Sequence, residues 1–340
     1  MREILEDGDF HSDDEHLSSQ PSPENVINDA GHQSFIMGYS SSDIDLKSFH
    51  PLPSQIPFYW QKYIENVDPL IKITHTPTMN KVIREVQSKL DSLSAGTEAL
   101  MFSIYFAAVV SMGSEDVSCT QLAKLTSTDI SQVKNDLGVD RDVLLKRYRF
   151  GTEQALARAN FLNTNEIVTV QAFVLFLVCV RRVDDTRFVW SLTALALRIA
   201  QSLGLHRDGS KFGLSPFDTE MRRRLWWQVC ILDTRAAEDH GSEPSIVDHL
   251  FDTEVPLNID DCDLDPDATE APVPKSGLTE MTFCLIRFEI CTLIRKFNHF
   301  PPGKNSCPKM GPELTVNDRE RMIQEFSDRV EINFLQYFHE

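Results

Sequence analysis

Residues 190–264 read WSLTALALRIAQSLGLHRDGSKFGLSPFDTEMRRRLWWQVCILDTRAAEDHGSEPSIVDHLFDTEVPLNIDDCDL. From Trp190 to Leu203 the apolar residues Leu192, Leu195, Ile199 and Leu203 recur at helical spacing. The run meets Gly204, a residue that takes the left-handed helix stop without steric cost. Ser215, Pro216 and Asp218 then supply an N-cap, a proline at the first helical position and an acid three residues after the cap. They predict a second helix reaching about Asp233. Two helices joined by a short polar connection, with no alternating strand pattern, point to an all-α class.

Working outward, Ile167–Val180 is a continuous apolar run rich in β-branched residues. Its length and its place between helical segments predict a helix, since a buried strand rarely exceeds about eight residues. Asp140 to Leu162 carries Val143, Leu144, Tyr148, Ala155 and Ala159 on helical spacing and is expected to break at Gly151. Ala99 to Ser111 reads as a helix buried on most sides. Thr78 to Leu93 places Val82, Ile83, Val86, Leu90 and Leu93 on one face. Residues 1–54, rich in Asp, Glu, Ser and Pro, are expected to be a disordered acidic tail, because they cannot bury enough apolar surface to offset chain entropy. The expected architecture is an all-α multi-helix array preceded by that tail.

The 340 residues carry a formal net charge of −18, and residues 1–50 hold eleven acids against two bases. Residues 251–270 add eight acids and no base. DNA affinity comes largely from Lys and Arg neutralising phosphates, so this chain is not expected to bind DNA by itself. The longest apolar runs, Leu100–Met112 and Val168–Val180, fall short of the roughly 20 residues that span a bilayer. No basic, apolar-cored leader opens the N-terminus, so a soluble intracellular protein is expected. Seven cysteines, at 119, 179, 230, 262, 284, 291 and 307, lie singly without a CxxC pair, which reads as free thiols rather than disulfides or zinc ligands.

Several clusters invite a chemical reading and are better explained structurally. Arg222, Arg223 and Arg224 follow Asp218 and Glu220 at i,i+4 spacing, which predicts intrahelical ion pairs. Arg222 is also placed to stack on Trp226. His206, Arg207 and Asp208 follow the helix stop and are placed to cap carbonyls or tie the loop to a neighbouring helix. Asp233 and Asp239-His240 lack a second histidine at zinc spacing and read as surface or helix-end polarity. The acidic run Asp260–Asp267 has Pro266 where a calcium loop needs glycine, and Pro272 where it needs its glutamate, so a solvated loop is expected. No phosphate loop, nucleophile elbow or HExxH motif occurs, and no enzyme is expected. Catalytic, cofactor and metal residues are accordingly none.

In order along the chain, Gly204-Leu205-His206-Arg207-Asp208, Ser215-Pro216-Phe217 and Glu220 through Arg222-Arg223-Arg224-Leu225-Trp226-Trp227 are followed by Asp233, Gly241 and Val255-Pro256-Leu257-Asn258. This pattern resembles the fungal-specific transcription factor domain, the middle homology region of binuclear zinc-cluster regulators. Trp60, Asn66-Val67-Asp68-Pro69, His75-Thr76-Pro77-Thr78 and Ile104-Tyr105-Phe106-Ala107-Ala108 extend the likeness over roughly residues 55–270.

The resemblance implies a nuclear regulator of RNA polymerase II transcription, governing a metabolic or secondary-metabolite gene set and acting through protein partners, with dimerisation among them. It divides the chain into the tail at 1–54, a helical regulatory domain at 55–300, and a linker with a truncated C-terminal helix at 301–340. The family's zinc belongs to a six-cysteine cluster that normally precedes this region. No cysteine precedes Cys119, so DNA contact is expected only if such a cluster is supplied. The alternatives left open are a small-molecule-sensing or dominant-negative interaction module, and a non-functional fragment.

Overall fold

The computed structural model describes residues 44–88, 93–112, 140–183, 186–297 and 315–338. Among them lie nine α-helices joined by turns, with no strand. These are α1 Ile56–Asn66, α2 Thr76–Ser88, α3 Ala95–Ser111, α4 Arg141–Arg158, α5 Ile167–Val180, α6 Thr186–Ser202, α7 Pro216–His240, α8 Thr282–Phe297 and α9 Val316–Asn333. α3 is the hub, packed against α1, α4 and α5. The array continues from α5 to α6, from α6 to α7, then through α8 to α9.

The hub is helical because its backbone must be satisfied where no water reaches. Every residue from Ala99 to Val109 is buried, and Ser94 starts the helix by accepting the Thr97 N–H at 3.2 Å. α5 shares that environment from Thr169 to Leu177. The Ser103 hydroxyl, donating to the Ala172 carbonyl at 2.9 Å, joins the two helices. Its β-branched residues thus lie in a helix, as length predicts.

Three details of the helices differ from expectation. Gly151 does not break α4. It lies mid-helix where α4 crosses α3, and a Cβ built there would meet the Phe102 ring at 2.8 Å. Val143 is 42% exposed, off the buried face. α7 passes Asp233 and runs to His240, because buried Ala236 and Ala237 continue it and no breaker comes before Gly241 at φ 70°.

The expected tail also ends earlier than 54. Leu46, Phe49 and His50 are buried in a 3-10 turn over Leu46–Phe49. Arg147 of α4 donates to the Ser48, Phe49 and His50 carbonyls, and Arg158 to that of Ile44. Two apolar side chains and a set of arginine bonds give this segment the burial that composition did not suggest. The remainder of the expected tail, residues 89–92 and the linker at 301–314 lie outside the described residues. Among the described residues no helix is long and apolar enough to cross a membrane.

Candidate functional site

α7 carries the arginine triplet into the centre of two linked ionic clusters. Its start follows from the sequence: Ser215 Oγ accepts the Asp218 N–H at 3.0 Å and Pro216 is the first helical residue. The preceding α6 closes at Gly204, φ 74°, with the Leu205 N–H bonding the Ala200 carbonyl at 3.0 Å. That reversal sets His206-Arg207-Asp208 beside the first turns of α7.

In the first cluster Arg223 grips Asp208 with two bonds, Nε to Oδ2 at 2.8 Å and Nη2 to Oδ1 at 3.0 Å. Nη2 also reaches Glu254 at 2.8 Å. Asp208 accepts further bonds from Ser210 and from the Glu254 N–H. Burial opposes its charge, but Arg223 and these donors hold the carboxyl well below the usual range. Arg207 pairs with Asp252 at 3.0 Å, and the Asp208 N–H bonds the same carboxylate at 2.9 Å. The His206 carbonyl accepts the Asp252 N–H at 3.0 Å, so His206-Arg207-Asp208 tie the loop to α7 and to residues 252–254.

The second cluster surrounds Arg224, whose side chain is 0% exposed. It pairs with Glu220 at 3.1 Å and Asp261 at 2.6 Å. Asp261 also meets Lys72 at 3.0 Å and accepts the Thr76 N–H at 2.8 Å. Lys72 continues to Asp68 at 2.5 Å and Glu280 at 2.8 Å, and His75 Nε2 donates to the Asp261 carbonyl at 2.9 Å. Desolvation works against the Asp261 charge, yet Arg224 and Lys72 bring its pKa down to about 2. Burial raises Asp68 and Glu220 instead.

Apolar packing closes the arrangement. Trp226 and Trp227 lie 5.5 and 5.8 Å from Phe251, and Trp227 Nε1 donates to the Glu254 carbonyl at 2.8 Å. Leu205 and Leu225 are 0% exposed, and Pro256 is buried. Phe217 meets His75 edge-on at 5.1 Å and joins Leu257 over buried Met221, Ile259 and Leu264. Asn258 bonds the Lys275 and Gly277 carbonyls and the Thr279 hydroxyl. Farther along α7, Asp233 accepts the Ile246 N–H at 2.9 Å. Four separate stretches, 68–76, 205–208, 220–233 and 251–280, are knotted together by residues that mostly satisfy one another.

Some sequence expectations do not survive. Asp218 turns to its own cap Ser215, so it forms no pair with Arg222, whose Nη1 caps the Leu203 carbonyl at 3.0 Å. The guanidinium found over a tryptophan is that of Arg295, 5.4 Å above Trp227, in place of an Arg222–Trp226 stack. The acidic run is not wholly solvated. Asp261 and Leu264 are buried, while Asp260 and Asp263 close a capping box and share Lys275 at 2.8 and 2.6 Å. Asp239 pairs with Arg181 and His240 stacks on Trp190 at 4.6 Å, both at the end of α7. Lys72, Glu280 and Arg295 were missed. Lys72 alone had a signal, a single charge inside Leu70-Ile71-Lys72-Ile73.

Cys179, Cys230, Cys284 and Cys291 are buried and Cys262 is exposed. Among the described residues no group of three or more potential ligands converges.

The description "fungal specific transcription factor domain" belongs to the family model that matches residues 56–308. The aurofusarin cluster transcription factor aurR2 of Gibberella zeae is 36% identical over 314 residues, which is 87% of this chain and 44% of that protein. The pyriculol/pyriculariol biosynthesis cluster transcription factor 1 of Pyricularia oryzae is 36% identical over 244 residues, 72% of this chain and 31% of that protein. The C6 finger domain transcription factor adaR of Aspergillus niger is 33% identical over 301 residues, 85% and 36% respectively. The chain thus spans less than half the length of these relatives, which are named as transcription factors. No solved structure matches it. The chain belongs to the fungal-specific transcription factor domain family.

Proposed function

We propose that this chain is the helical regulatory region of a pathway-specific regulator of RNA polymerase II transcription, acting in the nucleus on a secondary-metabolite gene set. The observation that carries this is the family match over residues 56–308, joined to relatives named for aurofusarin and pyriculol clusters. The geometry supports a role in recognition rather than chemistry, because the charged side chains of the α7 knot are engaged with one another. DNA contact in this reading comes from a zinc-cluster module carried elsewhere, and the helical array receives protein partners.

Fusing residues 1–340 to an unrelated sequence-specific DNA-binding domain tests it in a fungal reporter strain. The expected result is a change of several-fold in reporter output, up or down. A fusion that is stable and occupies its site, yet leaves the reporter unchanged, overturns the reading.

A further inference from the structure

Along α8, Phe283, Arg287, Ile290 and Ile294 follow one another at three- and four-residue spacing and so share one face. Phe283 is 48% exposed, and Ile290 and Ile294 are only partly buried. Leu70, 43% exposed, lies beside them, since Arg287 donates to its carbonyl. Across from this face stands the C-terminal half of α7, with Ile231, Thr234 and Arg235. The recess between the two helices encloses only about 20 Å³, room for about one water. Whatever meets this surface must lie over it rather than in it.

The charge on this surface is unbalanced. Arg235 pairs with Glu238 at 2.8 Å, and Arg181 with Asp239 at 2.5 Å. Arg287 has no carboxylate within ion-pair distance among the described residues, and its one hydrogen bond goes to the Leu70 carbonyl. Burial lowers its pKa, and the like charges of Arg235 and Arg181 lower it further. A guanidinium offers five donors, and a partly buried charge without a counter-ion is costly. Arginine and aromatic side chains are also what binding hot spots are enriched in, and here Arg287 and Phe283 stand one helical turn apart.

We propose that this face docks an acidic amphipathic helix of a partner protein, its apolar stripe laid on Leu70, Phe283, Ile290 and Ile294 and a bordering carboxylate forked on Arg287. A helix suits the surface because apolar positions three and four residues apart mate with the same spacing on another helix. Acidity follows from the surplus guanidinium, which a planar carboxylate meets with two parallel bonds. A second copy of the chain is the poorer occupant. Two-fold pairing brings the same face against itself and supplies no carboxylate beyond Glu238 and Asp239, which are already paired. The proposal rests on the regulatory reading above for the existence of partners, but peptide binding is measured without any transcriptional output, so the two fail separately.

The test is fluorescence anisotropy of the full chain with a labelled synthetic peptide of about 18 residues, leucines along one helical face and glutamates along the other. The comparison is the same peptide with glutamine for glutamate. Because the chain carries a net charge of −18, an acidic peptide is held only where the local charge reverses. Saturable one-to-one binding with a Kd below about 100 µM is expected, about tenfold or more tighter than for the glutamine peptide. Arg287→Gln should weaken the acidic peptide about tenfold or more. Phe283→Ser, at an exposed position, should weaken both peptides several-fold and decides the matter if Arg287→Gln does not fold. Arg321→Gln on α9 should leave binding unchanged. No saturable binding up to about 1 mM, equal binding of the two peptides, or unchanged binding to Phe283→Ser would overturn the proposal. So would a chain that sediments as a dimer and turns monomeric in Phe283→Ser, which would give this face to a second copy.

Discussion

Arg224 sits where the cost of an unpaired charge is greatest, with no exposed side-chain surface and a carboxylate on either side. Removing one partner of a buried pair leaves the other desolvated and unsatisfied, at about 3–5 kcal/mol. Arg224→Met should therefore lower the unfolding free energy by about that amount in urea melts. Arg321→Ala, at a pair with Asp318 exposed on α9, should change it by less than about 1 kcal/mol. Equal losses would mean that the knot contributes no more than a surface pair. Asp261 adds a pH signature. Its folded pKa is about 2 against 3.8 unfolded, so its stabilisation is fully present above pH 3.8 and is lost as the pH falls through about 2. Asp68 and Glu220, raised by burial, act with the opposite sign and gain as the pH falls through their raised values. The difference in stability between the native chain and Asp261→Asn should shrink from pH 7 toward pH 2, by about 2 kcal/mol. A difference that stays constant would remove Asp261 as a charged partner of Arg224 and Lys72.

At the level of helices, local signals were legible wherever the stop or start is written in the backbone chemistry of one or two residues. Gly204 at φ 74° and the Ser215 cap lie where the sequence puts them. What could not be read were outcomes decided by another helix. Gly151 looked like a break because glycine weakens an isolated helix by up to about 1 kcal/mol, but it is the contact point that lets α4 approach Phe102 of α3. The buried Asp261 looked like part of a solvated acidic loop because its partners Lys72 and Arg224 are remote in sequence. Gly151→Ala separates the two effects. Helix propensity alone predicts a gain, whereas a Cβ at 2.8 Å from the Phe102 ring forces that side chain to shift, at about 1–3 kcal/mol. The expected net effect is a loss, read as a lower denaturation midpoint, with recovery in Gly151→Ala combined with Phe102→Leu. A more stable single variant would show that α3 yields at this crossing.

For the molecule as a whole, the acid-rich segments of the sequence are less separable from the fold than charge suggests. Residues 251–280 carry few bases, yet they are drawn onto α7 through Arg223, Arg224 and Trp227. The N-terminal segment is similar. Composition placed the edge of the folded unit at 54, whereas the turn at 46–49 lies under Arg147 and beside the Phe102 and Tyr105 rings, which His50 meets at 4.3 and 5.8 Å. Leu46 and Phe49 are 0% and 3% exposed, and full burial of such side chains stabilises by about 1.5–3 kcal/mol each. Two truncations therefore give different results. Removing residues 1–43 deletes none of these contacts and should leave the urea midpoint nearly unchanged. Removing residues 1–54 takes away both apolar anchors and the carbonyls that Arg147 and Arg158 bind, and should cost about 3–6 kcal/mol, with the aromatic cluster around Tyr105 opened to a hydrophobic dye. If the two truncations melt alike, the segment from 44 to 54 is an ornament on the surface of the array, and the boundary read from composition was the right one.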